Sequence, residues 1–503
     1  MAAKKKPIDA KRPRLPPRGA RSLASRHRLM QLAHAEPEDE RAMHTGWTFE
    51  VFWDGGYRLQ ASKLNDEVVL FADDMREWTG PAAAIALALK DLPAPQFVID
   101  GWLCVLGADG KPDFEALKTR ITTGEGGALV FMLSDLWALD APLASLPLAE
   151  RRAKLKPLIP EGHRTLLAPQ ELEGSLEHVK RSLTALGLGG VLARTHDRAL
   201  VVSADDEPLP LVRSLSAAPK FTNQDKVLYP RDGYTKTDLV GWYREVAPIL
   251  LKHMHRRPIV AQRWPDGIDE FTWFQHRAPP RAPDYLRSAF IDGDRRILIE
   301  NEDALLWMVN QAALTFHGWA SRMGTLANPD WAIIDLDPGT KTTWAQTIEV
   351  AQAVRALLEL LEVHSVVKTS GQKGIHIIVP IAPGHTAAQT FEFSQRVCGM
   401  VAALKPELIS LEAETEPRKG RLYLDCVQNY QGKTLVLPYS VRGADGAPIS
   451  MPVKWSEVTE QLDPRAFTIR TGKQRLDAEG DLFAPTLEGT LQLDPVIQKL
   501  RGQ

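Results

Sequence analysis

The stretch Trp331-Ala-Ile-Ile-Asp-Leu-Asp-Pro-Gly339 decides how the chain is read. A period of two puts Ile333, Asp335 and Asp337 on one face of an extended strand and Ala332, Ile334 and Leu336 on the other. Pro338-Gly339 ends the strand in a turn. Two carboxylates at the end of an apolar strand repel each other, and one is driven neutral unless a cation offsets them. Carboxylates that leave room for substrate phosphate are a usual way of holding Mg²⁺ or Mn²⁺ for phosphoryl transfer. Taken alone, the stretch reads equally well as a polar turn after a strand, because Asp, Pro and Gly all favour turns.

Downstream, Val366-Val-Lys-Thr-Ser-Gly-Gln-Lys-Gly-Ile-His-Ile-Ile-Val-Pro380 reads as strand, glycine-rich turn, strand. Ser370, Gly371, Lys373 and Gly374 fall in the turn, and backbone N–H groups, a hydroxyl and an ammonium suit a triphosphate. A plain hairpin turn is the alternative. His376 leads the second strand. In Arg418-Lys-Gly-Arg-Leu-Tyr-Leu-Asp-Cys-Val-Gln-Asn429, Arg421, Tyr423 and Asp425 share a face opposite Leu422, Leu424 and Cys426. Asp425 is thus a third inward acid, and three acids facing a common site are hard to reconcile without metal. Gln428, Asn429, Gly432-Lys433-Thr434 and Pro438-Tyr-Ser-Val-Arg442 follow.

Upstream, residues 304–320 read as one apolar helix with His317 near its end, where a lone histidine is more often packed than catalytic. A helix over 343–361 follows the Asp335 strand as a crossover. Another helix runs through His253. Thr237 or Asp238 would cap it, leaving Lys236 just outside its positive end as a phosphate ligand or as an ordinary exposed lysine.

The 503 residues predict two or three domains. With 44% hydrophobic and 25% charged residues the composition is that of a globular protein, and no apolar run is long enough to span a bilayer. Three scattered cysteines exclude a disulfide framework or zinc site by spacing and fit a reducing cytoplasm. Net charge is −2, yet residues 1–28 hold ten Lys or Arg against one acid. That segment reads as a phosphate-backbone tether or a solubilising tail. The expected layout is a basic, disordered tail over 1–40, an α+β unit over 41–202, a polar, Pro-rich linker over 203–219 and a second unit over 220–503.

The first unit contains Trp47-Thr-Phe-Glu-Val-Phe-Trp-Asp-Gly-Gly-Tyr-Arg-Leu-Gln60, Phe97-Val-Ile-Asp-Gly-Trp-Leu-Cys-Val105 and Leu188-Gly-Gly-Val-Leu-Ala-Arg194. These resemble the adenylation domain of ATP-dependent DNA ligases, especially the bacterial DNA ligase D family, whose motifs are Lys-Trp-Asp-Gly-Tyr-Arg, Asp-Gly-Glu-Leu and Glu-Gly-Ile-Val-Ala-Lys. The chemical positions depart. Phe52 stands at the nucleophilic lysine, Trp102 at the glutamate after Asp100-Gly101, and Gly189 and Arg194 at the glutamate and lysine of the last motif. Ligases store AMP on a lysine amine, and a phenyl ring has no lone pair for that attack. The resemblance therefore implies a degenerate ligase-like domain with no covalent AMP. Its remaining framework is Trp53, Asp54, Gly55, Tyr57, Arg58, Trp78, Asp100 and Gly101.

From about residue 215 the chain resembles the polymerase domain of DNA ligase D, a branch of the archaeo-eukaryotic primase superfamily. The family's Asp-x-Asp falls on Asp335 and Asp337. Its Ser-Gly-x-Lys-Gly-x-His falls on Ser370, Gly371, Lys373, Gly374 and His376, and its third motif on Leu424-Asp425. The resemblance implies an α/β unit with a mixed-sheet catalytic core and two divalent ions, manganese favoured over magnesium, held by Asp335, Asp337 and Asp425. It also implies an NTP or dNTP gripped by Ser370, Lys373, His376 and Arg442, with Gln428, Asn429 and Lys433 nearby. Lys226 and Lys236 would take the 5′-phosphate of a DNA end or gap. Gln275-His276 departs from a usual lysine there, which Arg277 would offset. Expected partners are double-stranded DNA ends, the Ku end-binding protein and a separate active DNA ligase, in a bacterial nucleoid and away from membranes. Two competing readings are a non-catalytic end-bridging scaffold and a working ATP-dependent ligase.

Overall fold

The structure, a computed structural model, describes residues 30–502 except 31, 45, 205–208, 211–212, 280, 413 and 415–417. Most of the expected basic tail lies outside the described residues. The chain divides between Ala217 and Ala218 into two units.

The first unit contains strands β1 Leu32–His34, β2 Thr48–Val51, β3 Tyr57–Leu64, β4 Glu67–Phe71, β5 Gln96–Val105, β6 Leu129–Leu139, β7 Ala141–Pro142, β8 Leu166–Leu167, β9 Gly190–Arg194 and β10 Ala199–Ser203. They form a four-stranded sheet in the order β1-β10-β9-β2 and a six-stranded sheet running β4-β3-β5-β6-β7, with β8 on β6. The tail expected over 1–40 is corrected at its end. Leu32–His34 pairs in parallel with Ala199–Val201, and α1 Pro37–Ala42 follows. Leu32 and Ala33 extend a sheet whose β10 edge would otherwise stay open. Glu38, Asp39 and Glu40 crowd the helix's positive end, where acids are favoured.

The second unit opens with a hairpin, β11 Val227–Tyr229 and β12 Tyr234–Thr235, that runs into α2 Lys236–Met254. Thr235 caps this helix. Its hydroxyl accepts from the Asp238 N–H, and the Asp238 carboxylate accepts from the Thr235 N–H at 2.7 Å. The expected cap at Thr237 or Asp238 is corrected accordingly, and Lys236 is the first helical residue. Strands β13 Ile259–Arg263, β14 Trp273–Gln275, β15 Arg287–Ile291 and β16 Asp294–Leu298 precede α3 Glu302–Asn310 and β17 Ala313–Trp319. The single helix expected over 304–320 is therefore a helix followed by a strand. Ala312 takes a left-handed φ of 59°, which breaks the helix. The run Leu-Thr-Phe-His-Gly-Trp then lies between β13 and β23 Thr434–Val436, buried on both faces. A strand buried on both faces loses the alternation that would mark it.

A six-stranded sheet in this unit has the order β21-β22-β18-β20-β19-β24, with β18 Trp331–Asp337, β19 Val366–Thr369, β20 Ile375–Pro380, β21 Ile409–Ser410, β22 Leu422–Asp425 and β24 Pro452–Val453. The β21–β22 pair is parallel and the others antiparallel, so the sheet is mixed. Period two governs β18. Ala332, Ile334 and Leu336 pack in one core with α4 Trp344–Leu360, α5 Ala387–Leu404 and α6 Leu493–Arg501. Trp331 and Ile333 pack in the other core with α2, α3, β13 and β17. Asp335 and Asp337 continue the Ile333 face past the end of that core.

Candidate active site

Register brings the chemistry together. Antiparallel pairing sets Asp335 opposite Asp425 on β22 and opposite His376 on β20, and His376 opposite Lys368 on β19. Cross-strand partners share a face, so four titratable side chains form a row across the sheet. Asp335, Asp425, His376 and Lys368 are all nearly buried, whereas Asp337 at the strand end is exposed.

Asp335 and His376 of this row open on a cleft of about 470 Å³ that His317, Asp337, Pro338, Ser370, Gln372, Lys373, Gly374, Gln428, Thr434, Leu435, Val436, Arg442 and Arg465 also line, while Asp425 and Lys368 lie behind that lining. A neighbouring cleft of about 550 Å³ shares Pro338, Gln372, Lys373 and Arg465 with it. The turn 370–374 is closed by the Ser370 N–H donating to the Gly374 carbonyl at 2.9 Å, while the Ser370 hydroxyl accepts from the N–H groups of Gln372 and Gly374. Gly371 has φ +72°, and a Cβ there would meet Arg442 Cγ at 2.8 Å, so only glycine lets the arginine lie against the turn. Arg442 is steadied by donating to Gln372 Oε1 at 3.1 Å.

Burial, then repulsion from Asp337 and Asp425, pushes the Asp335 carboxyl well above the usual range. Burial and Asp425 also raise Asp337. Asp335 Oδ1 is buried and has no hydrogen-bond partner among the described residues. Asp425 Oδ1 accepts from the Tyr423 hydroxyl at 2.9 Å and the Val427 N–H at 2.7 Å. A hard cation matches this donor set, since it would use the orphaned oxygen and offset the repulsion. Among the described residues no three His, Cys, Asp or Glu side chains already form a metal cage. Burial, with Arg442 as a second cause, lowers Lys368, and burial with the charge of Lys368 lowers His376.

Not every expected residue reaches the cleft. Asn429 is corrected from nucleotide ligand to clamp. Its Oδ1 accepts from the Ile333 N–H and its Nδ2 donates to the carbonyls of Ile333 and Cys426, each at 2.8 Å, which leaves it no free group for substrate. Lys433 is exposed in the turn before β23 and does not line the cleft, although Thr434, Leu435 and Val436 do. Gln428 does line it. Lys226 and Lys236 are neighbours: the Lys236 N–H donates to the Lys226 carbonyl, and the charge of Lys226 joins burial in lowering Lys236. Lys226 Nζ pairs with Asp266 at 2.7 Å, and Lys236 Nζ donates to the Thr222 carbonyl at 2.7 Å. Arg277 is tied to Asp294 at 2.7 Å.

Several site residues escaped the sequence reading, among them Arg465, which lines both clefts. Lys368 stood in the quoted stretch, but its importance lies in the pairing with His376. His317 was read as packed on a helix. On β17 it faces the cleft, its Nε2 has no partner among the described residues, and burial with Arg442 pushes its pKa down to about 3.

In the first unit, Phe52 is buried and meets Trp102 edge-on at 5.4 Å, in a cluster with Cys104, Val130, Met132, Leu192 and Val201. Arg194 is paired with Asp135 at 2.6 Å. Lys63 Nζ donates to the carbonyls of Lys90 and Leu92. Phe52 is thus held in apolar packing.

A model of the LigD primase-polymerase domain matches residues 235–483. The polymerase domain of Mycobacterium tuberculosis Ligase D, solved in complex with DNA, is 31% identical, with a TM-score of 0.50 over 54% of this chain and 98% of that one. The multifunctional non-homologous end joining protein LigD of Mycolicibacterium smegmatis is 33% identical over 53% of this chain and 36% of its own length. Its namesake in Pseudomonas aeruginosa is 24% identical over 86% of this chain and 69% of its own length. This chain therefore spans about a third of the first relative. No helix among the described residues is long and apolar enough to cross a membrane.

Proposed function

Because the chain belongs to the LigD family through its primase-polymerase domain, we propose that it is a template-directed nucleotidyltransferase filling short gaps at DNA double-strand breaks in bacterial non-homologous end joining. One observation carries this reading: strand register sets Asp335 beside Asp425 and His376, and Asp335, Asp337 and His376 line one cleft with Ser370, Lys373 and Arg442. Two divalent ions, Mn²⁺ or Mg²⁺, held by Asp335, Asp337 and Asp425, would activate the primer 3′-OH and neutralise triphosphate charge.

The chain's own groups do the rest. Lys373 is exposed at the cleft mouth and meets the entering phosphates of an NTP or dNTP. Arg442, held by Gln372, presents a fixed guanidinium fork to the same phosphates. Gln428 and His317 contribute neutral polar edges beside them. Little covalent work falls to protein groups in phosphoryl transfer, so positioning and charge stabilisation are the main contributions.

Lys236, the first residue of α2, and Lys226, whose carbonyl accepts from its N–H, take the 5′-phosphate of the downstream strand, aided by the helix's positive end. Lys226 would exchange Asp266 for that phosphate. Partners are DNA ends or gaps and the Ku end-binding protein, at the bacterial nucleoid. Sealing falls to a separate active ligase, since the first unit has an apolar cluster where the AMP-bearing amine would stand.

The test is extension of a primer across a short gap bearing a 5′-phosphate, with Mn²⁺. Wild type extends it, and Asp335→Ala abolishes extension while still binding the gapped DNA. Binding without extension by either protein would replace this reading with an end-bridging scaffold.

A further inference from the structure

We propose that Lys368 is a positioning residue that holds the His376 imidazole in the tautomer with its proton on Nε2, facing the nucleotide cleft. The inference deepens the polymerase reading and rests on it for its kinetic consequence, but not for its geometry.

A lysine in mid-strand with 1% of its surface exposed is costly unless specific bonds hold it. Its neighbours Val366, Val367 and Thr369 are all buried, so the ammonium stem cannot reach solvent along the strand. The direction of each bond follows from its partners. The Ser450 hydroxyl gives its proton to the Thr369 carbonyl at 2.9 Å. It therefore accepts from Lys368 Nζ, 2.7 Å away. As an ammonium Lys368 Nζ has hydrogens only, so it also donates to His376 Nδ1, 2.6 Å away. An imidazole whose Nδ1 accepts carries its proton on Nε2.

Nε2 lies 3.4 Å from Asp335 Oδ1 and on the cleft side of the ring. A proton there turns a donor toward an anionic neighbourhood of carboxylate and incoming phosphate. The opposite tautomer would present a lone pair to both. Partners on the far side of a histidine ring commonly set which nitrogen acts, and Lys368, backed by Ser450, occupies that place.

The test uses the full chain with ring-¹⁵N-labelled histidine, with His376→Gln identifying the His376 signals. In wild type, His376 shows a protonated Nε2 and a lone-pair Nδ1. Lys368→Met averages the two nitrogens and raises KM for the nucleotide roughly tenfold, the effect of losing one charge-assisted hydrogen bond, with a smaller change in kcat. Ser450→Ala keeps the tautomer, because the lysine still reaches Nδ1. A proton on Nδ1 in wild type overturns the proposal, and that measurement needs no folded variant. Lys368→Met with an unchanged tautomer and KM also overturns it. Absence of gap extension by wild type would sink the polymerase reading instead, and the tautomer measurement would still decide the role of Lys368.

Discussion

Asn429 shows how one side chain sets the site without touching substrate. Its amide holds both polar groups of Ile333, two residues before Asp335. Asn429→Ala leaves a buried N–H and carbonyl short of partners, which costs about 2–3 kcal/mol. A fall of the urea midpoint by that amount with an unchanged slope is expected, and wild-type stability would refute the clamp. Asn429→Asp keeps the acceptor for the Ile333 N–H but turns a second oxygen toward the carbonyls of Ile333 and Cys426, so it should lose no less. At this scale the sequence is legible where a residue's role follows from its own strand. Alternation puts Asp335 and Asp337 on one face of their strand and Asp425 on one face of its own. Roles that depend on pairing between strands are hidden. Nothing in Val366-Val-Lys-Thr369 says that Lys368 lies opposite His376, and nothing in Gln428-Asn429 says which amide faces the cleft and which faces β18.

Among elements, the placement of α6 tests how packing and charge share the work. Leu493, Val496, Ile497 and Leu500 bury the helix in the core behind the catalytic sheet. Its last turn is fastened where Arg501 donates twice, at 2.8 Å, to Glu392 on α5. Arg501, with Arg396, holds the Glu392 carboxyl at about 2, below its ordinary 4.5. A carboxyl depressed on folding stabilises fully above its unfolded pKa and ceases to do so as pH falls through its folded one. Wild type should therefore outlast Glu392→Gln in thermal unfolding at pH 6, and the gap should close as pH drops from 4.5 toward 2. A gap that stays constant with pH would mean the pair contributes by contact alone. The apolar spacing of α6 is plain in the sequence, as are the strand starts at Trp331 and Val366. The join between α3 and β17 is not. Leu305 to Phe316 is apolar apart from Asn310, Gln311 and Thr315 because both elements are buried, and the break depends on one left-handed residue, Ala312, which has no side-chain signature.

For the whole molecule, the chain divides at Ala217/Ala218 into two units. The second has a polar, charged cleft, whereas the first has an apolar cluster around Phe52. Phe52 packs on Trp102 among Met132, Leu192 and Val201, and the basic residues nearby are committed: Arg194 to Asp135 and Lys63 to two carbonyls. Incubated with radiolabelled ATP and Mg²⁺, the full chain should therefore acquire no covalent AMP on a denaturing gel, while still extending a gapped primer. Phe52→Lys should not rescue transfer, because the new amine would enter a cluster that disfavours its charge, beside Trp102 and Gly189 where a ligase has acids. The informative comparison is between the two results. Label on wild type would mean that another amine reaches an adenylate and that the first unit has kept its chemistry by a different route. Label on Phe52→Lys alone would mean that the cluster opens readily and that only the nucleophile was lost. Label on neither protein, with extension intact, is the outcome the packing requires.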